Sequence, residues 1–303
     1  MHSIKVGDFS IRHTIESAQP ITFFGDEKGD GSGVAYPLGS SLIEVEQRGD
    51  SVAYGAYGPI GRRELAVEIT RRFGLRDDMK RIYASIGTDA FMRSAIRNYG
   101  GMRITRNDPW ETALCFVISQ FNNIKRIRGI VKRLMAAYGR EHAFSAGSVN
   151  LSFREFPTAE SIANRSADEL MLHGAGFRAR YIRSVAREWS DGSGFGKLGG
   201  MRYADAKEEL MKLDGVGDKV ADCILLFGYG RLEAFPTDTW IKRIVEHVYF
   251  GGRKQSIRAI HEFADERWGG YAGYAQQYLF HSGRLMKTGK RRAAPRIVAA
   301  ASV

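Results

Sequence analysis

Lys219, Cys223 and Asp238 are the residues of this chain whose types and spacing point most directly to chemistry. They sit in a stretch that reads Leu-Asp-Gly-Val-Gly-Asp-Lys-Val-Ala-Asp-Cys from Leu213 and Phe-Pro-Thr-Asp-Thr-Trp from Phe235. A lysine amine attacks carbon only when neutral, and at the ordinary pKa of about 10.4 roughly one in a thousand is neutral near pH 7. A working nucleophile therefore needs desolvation or a positive potential beside it. Gly215 and Gly217, on either side of Val216, allow the positive φ by which a short hairpin reverses the chain. Their backbone N–H groups, entering a helix, form an anion site that a phosphate can approach closely. Lys219 would stand in the first turn of that helix, with Cys223 four residues on and so on the same face. Asp238 follows Pro236 and precedes Thr-Trp-Ile-Lys-Arg, the place of a helix N-cap. A carboxylate fixed there beside an electron-poor sugar can stabilise positive charge or relay protons for the lysine. The same residues also suit a phosphate-contacting lysine in a plain connector, followed by a structural cap.

The elements that must position these groups follow from composition and periodicity. A helix is predicted over Tyr203 to Lys212, a second from about Asp218 to Phe227 and a third over Asp238 to Tyr249. Trp110 to Gln120 is nearly all apolar on one side and is the predicted centre of a helical region, entered through the cap and early proline of Asn107-Asp108-Pro109. Ile124 to Tyr138 is amphipathic with a basic exposed side, Gly139 to Phe156 reads as a polar loop, and Pro157 to Ser161 begins a short helix. Gly174-Ala175-Gly176-Phe177-Arg178-Ala179-Arg180-Tyr181 reads as a turn into a helix start carrying two arginines. Gln276 and Phe280 are four apart and can face one cavity. Residues 1 to about 58 are glycine-rich and alternating. Leu42, Glu44 and Glu46 against Ile43 and Val45, then Arg48-Gly49-Asp50, predict a hairpin of an antiparallel sheet. Phe9 to Glu16 is a short helix leading into Ser17-Ala18-Gln19-Pro20, and Arg62 to Tyr99 turns helical before Gly100-Gly101.

At 303 residues and 44% hydrophobic, the chain can build a proper core in two or three domains, which excludes a disordered protein. Its net charge of +11 suits a polyanionic partner without identifying one. Two cysteines, in separate apolar stretches, exclude a disulfide framework and a four-cysteine metal or iron–sulfur site. The seven histidines show no His-Glu-x-x-His spacing, so no metal or cofactor is expected. The start lacks an apolar signal core and no run approaches ~18 apolar residues, so an intracellular, soluble chain is expected, with no membrane partner. Nothing demands an oligomer, and a monomer is expected.

The order and spacing of Gly-x-Gly-x-Lys, cysteine and Pro-Thr-Asp closely resemble the helix-hairpin-helix DNA glycosylases, and within them the 8-oxoguanine DNA glycosylases. The resemblance is strong over residues 105 to 286 and weak over 1 to 104. It implies that Lys219 attacks C1′ of the damaged nucleotide, that Asp238 assists, and that Gly215, Val216 and Gly217 grip phosphate. It implies a base slot with Cys223 on one face, Phe280 on the other and Gln276 at the Watson–Crick edge. Ala18 stands near the family's glycine whose carbonyl accepts the N7 hydrogen that 8-oxoguanine has and guanine lacks. Phe121-Asn122-Asn123-Ile124-Lys125-Arg126 resembles the asparagine-rich turn that fills the hole left by the flipped nucleotide and bonds the orphaned cytosine. Asn122, Asn123 and Arg126 match it. Phe121 stands where the first asparagine usually stands and cannot read a base edge, so strict selectivity for an opposite cytosine is not implied. Phe177 and Arg178 match an aromatic wedge and a cytosine-contacting arginine, and Trp240 replaces a histidine found two residues after the aspartate in some members.

The expected fold is α+β, mainly α: an N-terminal antiparallel sheet with helices over 1–104, an all-helical helix-hairpin-helix region over 105–286 and a basic flexible tail over 287–303. The expected activity is removal of 8-oxoguanine from double-stranded DNA by base flipping and lysine attack, with β-elimination at the abasic site from the same imine. Two alternatives stand beside it. An alkylated-base glycosylase of the same superfamily would use the aspartate and water with no hairpin lysine, and a non-catalytic helix-hairpin-helix module would use Lys219 for phosphate alone.

Overall fold

The computed structural model describes residues 1–146, 149–192 and 195–287. Strand β1 (His2–Lys5) leads to helix α1 (Ile11–Glu16), which starts two residues later than predicted because Ser10 caps it by accepting the His13 amide. Helix α2 (Ile21–Phe24) and strands β2 (Asp26–Glu27), β3 (Gly33–Leu38), β4 (Ser41–Arg48) and β5 (Ser51–Tyr57) follow, and the five strands form one antiparallel sheet ordered β1-β5-β4-β3-β2. The alternation in β4 buries Ile43 and Val45, and the pairing of Arg48 with Ser51 closes the predicted hairpin over Gly49-Asp50. The predicted helical stretch resolves into α3 (Arg62–Arg72), α4 (Met79–Ile86) and α5 (Ala90–Tyr99).

Helix α6 (Pro109–Ser119) begins with a capping box between Asp108 and Glu111, and every residue from Trp110 to Ile118 is buried. It is wrapped on all sides, as the centre of a helical region must be. Helix α7 (Ile124–Tyr138) has the predicted bounds. The polar stretch after it is not a loop: β6 (Glu141–Ala146) and β7 (Val149–Arg154) pair as an antiparallel hairpin. In β7, Val149, Leu151 and Phe153 alternate with Asn150, Ser152 and Arg154, a strand signal that the polar residues around it obscure. Pairs across the strands hold it, with Phe144 stacked on Phe153 at 5.9 Å and Glu141 paired with Arg154 at 2.6 Å.

Helices α8 (Ala159–Ala163), α9 (Ala167–Leu172) and α10 (Ala179–Ser190) come next, the last entered through a 3-10 turn at Gly176–Arg178. A 3-10 turn, Phe195–Gly200, lies between α10 and the next helix. The chain ends with α11 (Tyr203–Met211), α12 (Asp218–Tyr229), α13 (Thr239–Tyr249), α14 (Ile257–Trp268) and α15 (Ala272–Lys287). Helix α15 returns to the first third of the chain, where Tyr278 bonds the Tyr83 hydroxyl at 3.2 Å and Tyr274 donates to Asp77 at 2.6 Å. The basic tail lies outside the described residues beyond Lys287. Among the described residues no helix is long and apolar enough to cross a membrane.

A buried charge joins the sheet to the helical region. The Arg72 guanidinium is fully buried, 2.6 Å from Glu68 and 3.2 Å from Glu111, and lies 4.7 Å over the Tyr36 ring. Arg72→Met would leave buried Glu111 without its cation, while Glu68 keeps Arg71, at an expected cost of about 3–5 kcal/mol. Denaturant unfolding measures it, and a loss under about 1 kcal/mol would contradict this role.

Candidate active site

The hairpin between α11 and α12 is built as glycine requires. Gly215 has φ +86°, and a Cβ there would meet the Tyr181 ring at 2.4 Å, so both conformation and space exclude a side chain. Val216 is buried and anchors the turn. A Cβ at Gly217, the N-cap of α12, would meet nothing within 4 Å, which leaves the helix start open to a phosphate. Gln120 donates to the Gly215 carbonyl at 3.0 Å and ties the hairpin to the end of α6. Lys219 follows in the first turn of α12. Its Nζ donates to Ser119 Oγ at 3.2 Å and lies 4.7 Å over the Phe116 ring.

Lys219 lines a cleft of about 380 Å³ that also brings together Cys223, Asp238, Gln276, Phe280 and Ala18, with Phe116, Ser119 and Trp240 in its wall. Burial pushes the Cys223 thiol up to about 12, against the opposing charge of Lys219, so it is neutral and unreactive near pH 7. Asp238 Oδ1 accepts the Trp240 and Ile241 amides at 2.9 and 2.7 Å, the predicted cap of α13. Gln276 Nε2 donates to the Pro236 carbonyl at 3.1 Å, while its buried Oε1 has no hydrogen-bond partner. An orphan acceptor of that kind costs ~1–3 kcal/mol and is met by a donor on whatever fills the cleft. Ala18 holds φ +61°, a left-handed conformation that costs ~1–2 kcal/mol with a Cβ. The Ser17 carbonyl beside it accepts from Gln277 at 2.6 Å, so α15 pins this turn.

At the rim, Phe121 is 93% exposed at φ +47°, and Phe177 is 51% exposed with its ring centroid 6.4 Å away. Two large apolar rings standing in water form a wedge. Arg178 is placed differently from the implied cytosine contact. It is buried beneath the wedge, donating to the Gln120 carbonyl at 2.6 Å and the Phe121 carbonyl at 2.9 Å, with its guanidinium 4.4 Å from the Phe177 ring centroid. Asn122 donates to the Ile118 carbonyl at 3.1 Å, and Asn123 caps α7 by accepting the Arg126 amide at 3.0 Å. Both asparagines shape the turn, and the Arg126 side chain is exposed. Phe116, Ser119 and Gln120 escaped the sequence reading. Their only signal was position, at the end of a buried helix just before the wedge.

Residues 2–113 match the N-terminal domain of 8-oxoguanine DNA glycosylases, and residues 114–269, just over half the chain, match the HhH-GPD superfamily of base excision DNA repair proteins. The chain belongs to that superfamily. A Methanothermobacter thermautotrophicus protein named "Probable N-glycosylase/DNA lyase" is 30% identical over 258 residues, covering 80% of this chain and 82% of its own. Among solved structures, MBOgg1 bound to a low-affinity DNA ligand is 32% identical with a TM-score of 0.84, covering 94% of this chain and 96% of that one. The 8-oxoguanine glycosylase/lyase of Clostridium acetobutylicum, bound to DNA with cytosine opposite 8-oxoguanine, is 26% identical with a TM-score of 0.82, covering 95% and 100%.

One carboxylate–imidazole group in this superfamily member lies outside the cleft. Ligand atoms of Asp218, Asp222 and His261 fall within 4.8 Å of one another. The Lys207 ammonium already pairs with both carboxylates, at 3.0 and 2.9 Å. In the cleft itself, the neutral thiol makes a direct expectation. Native protein treated with iodoacetamide at mildly alkaline pH keeps Cys223 and Cys115 unmodified, whereas unfolded protein takes up two labels. Rapid native labelling of Cys223 would show an exposed or ionised sulfur instead.

Proposed function

We propose that this protein is a base-excision repair glycosylase that removes 8-oxoguanine from duplex DNA and then cleaves the abasic strand by β-elimination. One observation carries the reading. A lysine amine, a neutral sulfur, an aromatic ring and an amide with a free buried acceptor all line a single cleft, beside an exposed aromatic wedge. The net charge of +11 and the open start of α12 supply salt-sensitive grip on phosphates. Phe121 and Phe177 fill the stack while the damaged nucleotide rotates out, which costs a few kcal/mol. The base then lies between Cys223 and Phe280 with Gln276 at its edge. Neutral Lys219 Nζ attacks C1′, the glycosidic bond breaks with its electron pair passing to the base, and the base takes up a proton. Asp238 stabilises the positive sugar and relays the amine proton. Loss of a second amine proton then opens the sugar ring, the C1′–O4′ electron pair passing to O4′ as it takes up a proton, and leaves an imine at C1′ that acidifies C2′; loss of the C2′ proton expels the 3′ phosphate.

The Clostridium acetobutylicum relative, solved with 8-oxoguanine DNA, supports the substrate. Lys219 speaks against an alkylated-base glycosylase, which needs only the aspartate and water. Phe121 offers the opposite base no hydrogen bond, so the reading carries no strict demand for cytosine. The place of work is wherever the genome is held.

Single-turnover release of 8-oxoguanine from a duplex tests the assignment. Asp238→Asn is expected to slow release by about 10²–10³-fold with duplex binding retained. Release of 3-methyladenine but not 8-oxoguanine by the native protein would overturn the substrate.

A further inference from the structure

We infer that His261, on α14 and outside the cleft, is a positioning residue that holds Asp238 in register with Lys219. This rests on the reading of Lys219 as nucleophile and Asp238 as its partner. Those two groups lie on different helices, α12 and the start of α13, and the chain between them passes through the buried segment Ala234–Thr237. That segment works as a strap. Its Pro236 carbonyl orients Gln276, and its last residue, Thr237, directly precedes Asp238.

His261 Nε2 is 3.2 Å from Thr237 Oγ1. The Thr237 hydroxyl spends its own proton on the Phe235 carbonyl at 3.0 Å. Thr237 Oγ1 can therefore only accept from the imidazole, and His261 must carry a proton on Nε2. The other side of that N–H faces α12. Asp222, fully buried and three residues after Lys219, turns Oδ1 to the Tyr203 hydroxyl at 2.5 Å and to Lys207 at 2.9 Å. Its Oδ2 and the Oδ1 of Asp218 have no hydrogen bond, and both lie 3.7 Å from His261 Nε2. The Nε2 atom therefore stands between Thr237 on the strap and the two carboxylates of α12. The approach to α12 and the bond to Thr237 thus act through one nitrogen. They join the nucleophile's helix to the strap that carries the carboxylate.

Misplacing a reacting group by about 1 Å can cost on the order of 10²-fold in rate. A lost outer contact is expected to cost less, about 10-fold. The test compares His261→Ala, His261→Gln, Thr237→Val, the His261→Ala/Thr237→Val pair and Lys219→Gln in the full chain. It reads single-turnover excision of 8-oxoguanine, affinity for a duplex carrying a tetrahydrofuran abasic analogue, and melting temperature.

Expected are slowing of about 10-fold in His261→Ala and in Thr237→Val with duplex affinity unchanged, and a double variant no slower than either single, because both break one bond. His261→Gln is expected to excise within about 3-fold of native, since its amide N–H can donate to Thr237 Oγ1. Excision at the native rate by His261→Ala, while Lys219→Gln is inactive, would overturn the inference alone. So would a loss that His261→Gln does not restore and that follows melting temperature. Native excision by Lys219→Gln would bring down the nucleophile reading and this inference with it.

Discussion

The site depends on the packing of α12 against α6. Phe116 and Phe227 stack across that contact at 5.5 Å, and the same Phe116 ring lies 4.7 Å beneath the Lys219 amine. An ammonium held over an aromatic face with Ser119 as its hydroxyl partner is fixed in place. The end of α6 also sets the wedge, since Ser119, Gln120 and Phe121 follow one another out of the helix. A single helix pair therefore places the amine, the hairpin proposed to receive phosphate and the residue proposed to enter the stack.

Backbone strain is concentrated beside the cleft and at the exposed rim proposed to read DNA. Ala18 and Phe121 are two of the three non-glycine residues with positive φ among those described. One borders the base cleft and the other tips the wedge. Each is held by polar contacts from neighbouring elements, Ala18 through the bond from Gln277 to Ser17 and Phe121 through the buried Arg178. Retained strain of this kind marks positions whose geometry matters more than local stability.

The elements around the nucleophile were legible in the sequence because local rules specify them. Glycines at 215 and 217, the cap at Asp238 and the periodicity of α7 and α12 depend on near neighbours alone. Long-range features were not. The return of α15 to α4 depends on tyrosine hydroxyls meeting partners about two hundred residues away. Arg178 has the composition of a solvated basic turn, yet carbonyls of a distant segment draw it inside. The β6–β7 hairpin did carry a short alternation, Val149, Leu151 and Phe153, but polar neighbours made the stretch read as a loop. His261 lies about forty residues after Asp218 and Asp222, so no spacing rule could unite the three.

The central claim is that the Lys219 amine forms the covalent bond to the sugar. Borohydride reduction during turnover of a duplex with one 8-oxoguanine opposite cytosine, followed by peptide mapping of the trapped adduct, tests it most directly. The expected result is a protein–DNA adduct on the peptide containing Lys219, formed only with damaged DNA and absent in Lys219→Gln. Base release without any trapped adduct would contradict the account and point to water as the nucleophile, driven by Asp238.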